Sequence, residues 1–169
     1  MKIAIISGSH RPQGESHRVA RYIQNQLQEL GVEDVYLFTL ADNPLPLWDE
    51  GLWGDDPKWK TLWGPVADQL RAAEGFVIVS PEWSGMVPAG LKNFFLLCDK
   101  ELLAHKPALI VTVSASMGGT YPVAELRTSS YKNTRICYIP DHVIIRNIGR
   151  MLHGPEPADE QDAAVRQRL

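Results

Sequence analysis

The sequence IAIISGSHRPQGES, residues 3–16, leads from an apolar run through a glycine-containing loop into a helical pattern. Ile3 to Ile6 contains no polar residue, which is typical of a strand covered on both faces. The helical pattern comprises Val19, Ile23, Leu27 and Leu30, and Gly31 is placed to end it. A buried strand, a loop and an amphipathic helix in this order predict the first unit of an α/β fold.

The same unit recurs along the chain. Further apolar runs lie at Val35–Leu40, Phe76–Val79, Leu109–Val113 and Val143–Ile145. Helical patterns separate them: the stripe Val66, Leu70 and Ala73 with Gly75 as its stop, a helix opened by Pro88 with an apolar face of Leu91, Phe94, Phe95 and Cys98, and a helix from near Pro122 with Val123 and Leu126. This alternation predicts a flavodoxin-like, doubly wound α/β fold: a five-stranded parallel sheet of order 2-1-3-4-5 with helices on both faces.

Two regions depart from the pattern. Asp42 to Gly64 reads as a long loop that contains Trp48, Trp53, Trp59 and Trp63. The chain after Gly154 is polar and is expected to form a loose helix or to be disordered. We therefore assign residues 1–152 to one flavodoxin-like domain and residues 153–169 to a polar C-terminal tail.

Composition excludes several function classes. The formal net charge of -3 gives no electrostatic argument for nucleic-acid binding. No apolar run is long enough to span a membrane, and the N-terminal apolar stretch is too short for a signal peptide. Cys98 and Cys137 lack metal-ligand spacing, and we expect both to be reduced core residues. These features favour a cytoplasmic protein.

Three polar loops follow the first, third and fourth predicted strands: the first loop (residues 7–16), the second loop (80–88) and the third loop (114–120). Ligands of open α/β sheets bind outside the carboxyl ends of the strands, at the point where the strand order reverses. For the order 2-1-3-4-5 that point brings these three loops together.

The first loop has the chemistry of a phosphate site without the Walker pattern. Five residues separate Gly8 from Gly14, and Glu15 stands where a triphosphate loop has lysine. Ser9 and Ser16 supply hydroxyl groups, and Arg11 supplies a charged fork suited to phosphate oxygens. Ser16 is also a candidate helix N-cap, and Glu15 would repel an anion if it pointed inward. A single monophosphate fits best.

The second and third loops suit a flat ring. Two prolines and a glycine stiffen the second loop, in which Trp83 is either a ring contact or a core plug. Glu82 is either a general base or, more commonly for such an acid, a structural carboxylate. The third loop is small and glycine-rich, which permits close approach of its backbone to a ligand.

With Gly8-Ser9-His10-Arg11 followed by Ser16, the run PEWSGMVPAGLKN at residues 81–93, and SASMGG at 114–119, the chain resembles the NADPH-dependent FMN reductase family. The second motif is the specific one, close to P-E-Y-N-x-S-x-P-x-x-L-K-N. Trp83 replaces its tyrosine, Ser84 its asparagine and Met86 its serine. The resemblance covers roughly the first 125 residues, and the family includes chromate, quinone and azo-dye reductases.

The resemblance implies bound FMN, with NADPH or NADH as electron donor, and hydride transfer through the flavin to a small-molecule acceptor without an obligatory protein acid or base. It implies a flavin phosphate held by Ser9, Arg11, Ser16 and the amide of His17. It implies a flavin ring against Pro81, Glu82, Trp83, Ser84 and Gly85 on one side, and Ser114, Ser116, Met117 and Gly118 on the other. It also implies a homodimer or homotetramer.

Alternatives remain open from the sequence. A flavodoxin-like electron carrier is one, although the long flavodoxin phosphate loop is absent, and a degenerate relative without flavin is another. The tryptophans of residues 48–63 either wall the flavin, of their own or of a neighbouring subunit, or anchor their loop on the core. Thr128–Arg135 is a lid, an oligomer contact or a solvated loop.

Overall fold

Five strands form one parallel sheet in a computed structural model that describes residues 1–54 and 56–169. In chain order they are β1 Lys2–Ser7, β2 Asp34–Thr39, β3 Gly75–Pro81, β4 Pro107–Val113 and β5 Cys137–Ile145. They lie in the order β2-β1-β3-β4-β5, and every neighbouring pair is parallel. The predicted sheet order is confirmed.

Helices cover both faces of the sheet. They are α1 Glu15–Glu29, α2 Pro57–Leu62, α3 Gly64–Ala72, α4 Ala89–Leu97, α5 Lys100–Leu103, α6 Thr120–Ser129 and α7 Glu160–Arg168. Buried residues of α1 and α7 join one apolar core, and those of α3, α4 and α6 join the other. None of the helices in the part of the chain that the structure describes is long and apolar enough to cross a membrane.

Alternation along the strands explains why there are two cores. In β1, Ala4 and Ile6 belong to the core under α3 and α4, whereas Ile5 belongs to the core under α1. Successive side chains of a strand point to opposite faces, so a continuous apolar run supplies both cores.

Three details of the helix boundaries differ from expectation. Gly31 does follow α1 with φ +88, but Leu30 is the C-cap and is 79% exposed rather than part of the apolar stripe. Gly75 does not stop a helix, because α3 already ends at Ala72 and Gly75 begins β3. The N-cap of α1 is Gly14, so the prediction of Ser16 as the cap is wrong.

The fifth strand is longer than its apolar run. It begins at Cys137, six residues before Val143, and its first half is largely exposed or half-buried because β5 has a neighbour on one side alone. Polar residues and Pro140 are tolerated at such an edge. Cys98 is buried as expected, whereas the expectation of a buried Cys137 is wrong, since it is exposed on this edge strand.

The tryptophan-rich segment is more ordered than the predicted long loop. It contains a 3₁₀ turn at Glu50–Trp53 and the helix α2. Asp49 caps the turn and also accepts a hydrogen bond from Trp59 Nε1 at 2.8 Å. The part of the predicted loop at residue 55 lies outside the described residues.

Its tryptophans divide between core and surface. Trp59 and Trp63 are 3% and 5% exposed and belong to the core under α3, whereas Trp53 is 77% exposed. Asn93 of α4 holds the segment down, because its Oδ1 accepts the amide hydrogen of Trp48 at 2.8 Å. Two of the four tryptophans therefore act as core anchors.

The polar tail is a docked helix. Asp162 of α7 is fully buried and accepts hydrogen bonds from the amides of Leu152 at 2.8 Å and Ala158 at 3.0 Å. Arg166 donates to the same carboxylate at 3.1 Å. A buried, fully bonded carboxylate thus fastens the tail, and neither a loose helix nor disorder describes it.

Thr128–Arg135 finishes α6 and leads into β5. Its hydroxyl groups bond back to helix carbonyls, for example Ser130 Oγ to Leu126 O at 2.7 Å and Thr134 Oγ1 to Ser130 O at 2.7 Å. The segment precedes the start of β5, so it lies at the amino ends of the strands, whereas the three loops lie at the carboxyl ends. It therefore does not cover those loops.

Candidate functional site

The three predicted loops meet at the carboxyl edge of the sheet. Trp83 of the second loop packs edge-on against His10 of the first, with ring centroids 4.7 Å apart. Glu82 joins the second loop to the third, because its Oε2 accepts the amide hydrogen of Gly119 at 2.6 Å. The carboxylate is thereby used to connect two loops, which favours a structural role for Glu82 over that of a general base.

The first loop folds around Ser9. This residue is 2% exposed, and its Oγ accepts the Arg11 amide hydrogen at 3.3 Å. The amide of Gly14 closes the turn on the Arg11 carbonyl at 3.1 Å. A Cβ atom on Gly14 would lie 2.5 Å from Ser9 Oγ, so a larger residue there would displace the Ser9 hydroxyl group.

Buried donors without an acceptor gather at this loop. Among the described residues, the buried side-chain atoms that lack a hydrogen-bond partner are Ser7 Oγ, Ser16 Oγ, His17 Nδ1 and His142 Nδ1. All but His142 lie in or directly after the first loop. A buried polar group without a partner costs about 1–3 kcal/mol. Three such groups together indicate a site for a ligand rich in acceptor atoms.

The backbone of the first loop adds further donors. Over the described part of the chain, the amides of His10 and Ser16 have no acceptor, whereas the His17 amide donates to the Gly14 carbonyl at 3.0 Å. The amide that the family resemblance assigns to a phosphate is therefore already engaged, whereas the neighbouring Ser16 amide has no acceptor among the described residues.

The charges of this region favour an anion. Arg11 is exposed, and its guanidinium group has no partner in the part of the chain that the structure describes. Glu15 is paired with Arg18 at 2.7 Å, and Arg18 also binds the carbonyl oxygens of Ile148 and Leu152. Glu15 is thus neutralised by an anchored arginine, which leaves Arg11 as the free charge of the loop.

His17 contributes no positive charge. Burial, and next the charge of Arg21, lower the pKa of the imidazole, and Asp42 opposes them by raising it. Because an ordinary histidine has a pKa of about 6.5, this shift keeps His17 neutral at pH 7.

The second loop contains a two-residue hairpin turn. Trp83 and Met86 exchange two backbone hydrogen bonds, at 3.1 and 3.0 Å. Ser84 and Gly85 lie between them with φ +52 and +73, the pattern of a type I′ turn. Asparagine followed by glycine is the preferred pair in that turn, so Ser84 keeps the backbone shape with a less suitable residue.

The third loop is bonded internally. Ser114 Oγ accepts hydrogen bonds from the amides of Ser116 and Gly118, both at 3.2 Å. Gly119 has φ +107, and a Cβ atom there would lie 2.5 Å from Ile144 Cγ2. The positive φ and this close contact together favour glycine at the position.

Two residues that brace the third loop were missed in the sequence. Arg146 Nε donates to the carbonyl oxygens of Met117 at 2.8 Å and Gly118 at 3.2 Å. The amide of Asn147 donates to Ser116 O at 2.9 Å. Their position in the sequence is a usable signal, because residues directly after the fifth strand of a parallel sheet lie at the same edge as the other loops.

An apolar rim surrounds the polar loops. Met86, Met117 and Tyr121 are 51%, 70% and 68% exposed, and Trp83 is half-buried beside them. Exposed apolar side chains next to convergent polar groups are typical of a site for a flat, partly apolar ligand. Tyr121 was not among the predicted site residues.

A sequence model of the NADPH-dependent FMN reductase family matches residues 1–149. The chain belongs to this family. The NADPH azoreductase of Bacillus sp. strain OY1-2 is 27% identical over 149 residues, 86% of this chain and 76% of the relative. The quinone reductase of Escherichia coli strain K12 is 32% identical over 122 residues, 70% of this chain and 63% of the relative.

A solved structure shows the same fold. The flavoenzyme NAD(P)H:(acceptor) oxidoreductase FerB from Paracoccus denitrificans superposes with a TM-score of 0.72 at 19% identity, over 96% of this chain and 89% of that chain. At 19% identity this similarity is evidence for the shared fold alone.

The family's cofactor fits the first loop. FMN carries a terminal phosphate that presents acceptor oxygens, and the loop presents buried hydroxyl and imidazole donors, free amides and an unpaired arginine among the described residues. Charge-assisted hydrogen bonds of this kind are the strong ones. The residues present therefore suit the phosphate of this cofactor.

Proposed function

We propose that this member of the family is an FMN-dependent NAD(P)H oxidoreductase. It takes a hydride from NADPH or NADH onto bound FMN and passes the electrons to a small acceptor such as a quinone, a free flavin, an azo compound or a metal oxyanion. The observation that carries the proposal is the cluster of buried donors without acceptors in the first loop, beside the exposed guanidinium group of Arg11.

The first loop would hold the phosphate. Ser9, Arg11, Ser16 and His17 are the residues we assign to it. Arg11 would form the charged contact, and Ser16 would donate from a hydroxyl group that is buried. Burial strengthens such a hydrogen bond, because water does not compete for the donor.

The second and third loops would hold the flavin ring. The residues we assign to it are Pro81, Glu82, Trp83, Ser84, Gly85, Ser114, Ser116, Met117 and Gly118. Their backbone shapes are set by the hairpin turn and by the bonds of Ser114, so they would orient the ring with little rearrangement. Hydride chemistry is supplied by the flavin when bound, and the protein supplies orientation and electrostatics.

The chain would act as a cytoplasmic homodimer or homotetramer. Support comes from large apolar side chains that the single chain leaves exposed, among them Trp53 and Leu96. Apolar and aromatic residues of this kind are enriched in interfaces. Light scattering on the purified protein measures the assembly directly.

Flavin retention and NADPH oxidation test the proposal together. The protein is incubated with FMN, freed of excess FMN by gel filtration, and assayed for NADPH oxidation with and without a benzoquinone. We expect retained flavin absorbance and quinone-dependent NADPH oxidation. Retained flavin without NADPH oxidation indicates an electron carrier, and absence of flavin indicates a degenerate relative; either result overturns the proposal.

A further inference from the structure

The side chain of His17 is held in one tautomer by its own helix. Its Nε2 accepts a hydrogen bond from Arg21 Nε at 2.7 Å, one turn further along α1. A ring nitrogen that accepts carries no hydrogen, and a neutral imidazole carries its single hydrogen on the other nitrogen. The hydrogen of neutral His17 is therefore on Nδ1.

Burial and the surrounding charges keep the His17 imidazole neutral. Arg21 on α1 and Asp42 after β2 are the charged groups that act on His17, and burial and Arg21 prevail over Asp42 in disfavouring the imidazolium. A second hydrogen on Nε2 would also point at the Arg21 donor, which the hydrogen bond between them excludes. His17 is thus a neutral donor through Nδ1.

This donor is buried and has no acceptor. Nδ1 is shielded from solvent and has no partner among the described residues, and the same holds for Ser16 Oγ beside it in the chain. Both residues belong to the first turn of α1, directly after the loop that contains Arg11. Two residues adjacent in the chain therefore have buried donors without acceptors next to the loop that we assign to the phosphate.

We propose that the His17 imidazole donates its Nδ1 hydrogen to the phosphate of bound FMN, and that Arg21 is a positioning residue that fixes the donating tautomer. The inference rests on the proposed function and deepens it, since it makes the first turn of α1 a determinant of the preference for FMN over riboflavin. The role belongs to the imidazole, because the His17 amide is already bonded to Gly14.

Paired affinities for FMN and riboflavin test the role of His17. His17→Leu removes the donor, and His17→Asn keeps a donor near the position of Nδ1. We expect His17→Leu to lower FMN affinity about tenfold relative to riboflavin, the size of one lost hydrogen bond to a charged group. His17→Asn should stay within about threefold of the unsubstituted protein. Unchanged thermal unfolding of both variants establishes that they fold.

The tautomer itself tests the role of Arg21. Nitrogen NMR of the imidazole is expected to show hydrogen on Nδ1 in the unsubstituted protein and a shift of that signal when FMN is added. Arg21→Leu should move the hydrogen to Nε2 in part and weaken FMN about threefold, whereas Arg21→Lys, which still donates, should do neither. A purely structural role for Arg21 would leave the tautomer unchanged.

The outcomes separate this inference from the proposed function. If the unsubstituted protein binds FMN and His17→Leu binds FMN and riboflavin with an unchanged ratio, the inference is overturned and the proposed function stands. Hydrogen on Nε2 in the unsubstituted protein also overturns it. If the unsubstituted protein binds no FMN, the proposed function fails first.

Discussion

The first and third loops lie at the same edge of the sheet but treat their polar groups in opposite ways. In the third loop, Ser114 Oγ accepts hydrogen bonds from two amides of the loop. Arg146, which follows β5, donates to two carbonyl oxygens of the same loop. In the first loop and directly after it, Ser7, Ser16 and His17 have buried polar atoms without a partner among the described residues. The third loop is bonded by its own residues and by neighbouring segments, whereas the first loop has donors without acceptors among the described residues.

This difference separates what holds the site together from what binds a ligand. A loop held by hydrogen bonds within the protein keeps its shape with or without ligand, so substitutions that break those bonds should change stability. A loop with surplus donors gains most of its hydrogen bonds from a ligand, so substitutions there should change affinity. Substitutions in the two loops test that division.

Gly119→Ala should destabilise the protein most. The residue has φ +107 and a Cβ atom would meet Ile144 at 2.5 Å, so backbone strain and overpacking add to roughly 3 kcal/mol. Urea unfolding without ligand measures the loss. Gly149→Ala is the control, because nothing lies within 4 Å of its Cβ position and its φ is ordinary. Equal unfolding midpoints for the two variants would contradict the account.

Glu82→Ala should lower the free energy of unfolding by about 2 kcal/mol, because the Gly119 amide loses its acceptor. Glu82→Gln retains an acceptor oxygen and should cost less. Urea unfolding of both variants, with the exposed Glu29→Ala as control, measures the difference. NADPH oxidation by Glu82→Gln that falls to background would restore Glu82 as a catalytic base.

Arg11→Ala should leave stability unchanged and lower FMN affinity about tenfold, because a charge-assisted contact is lost. Fluorescence titration with FMN provides the affinity. Lys100→Ala is the matched control, since it removes one positive charge at the opposite edge of the sheet. Unchanged affinity in Arg11→Ala would remove Arg11 from the phosphate site.

Ser84→Asn should stabilise the protein slightly, by about 0.5 kcal/mol, because asparagine adopts positive φ more readily and Ser84 has φ +52. The unfolding midpoint is compared with that of Ser116→Asn, which makes the same change at an exposed serine of the third loop whose φ is not positive. A loss of stability at Ser84 would show that the turn depends on the serine hydroxyl.

The sequence was sufficient to predict the sheet and the meeting of its loops. Apolar runs mark buried strands in β1, β3 and β4, and the order of strands and helices then determines which loops share an edge. The specific motif at residues 81–93 identified the family. These signals lie within short stretches of the chain, so one sequence is enough to recognise them.

The bonds that brace the loops and the C-terminal helix could not be predicted, because they join residues far apart in the chain. Glu82 reaches Gly119, Arg146 reaches Met117, and Asp162 reaches Leu152. No local pattern distinguishes such an acid or arginine from an exposed one. The position of the α1 N-cap is a separate case: the sequence makes Ser16 a candidate cap, but the structure has Gly14 there and leaves the Ser16 hydroxyl without a partner among the described residues.

The proposed function requires that this chain binds FMN and that NADPH reduces the bound flavin. The most direct measurement is the anaerobic visible spectrum of the FMN-loaded protein before and after one equivalent of NADPH. We expect the flavin band to bleach and to return when a quinone is added. An unchanged band after NADPH, with flavin still bound, would contradict it.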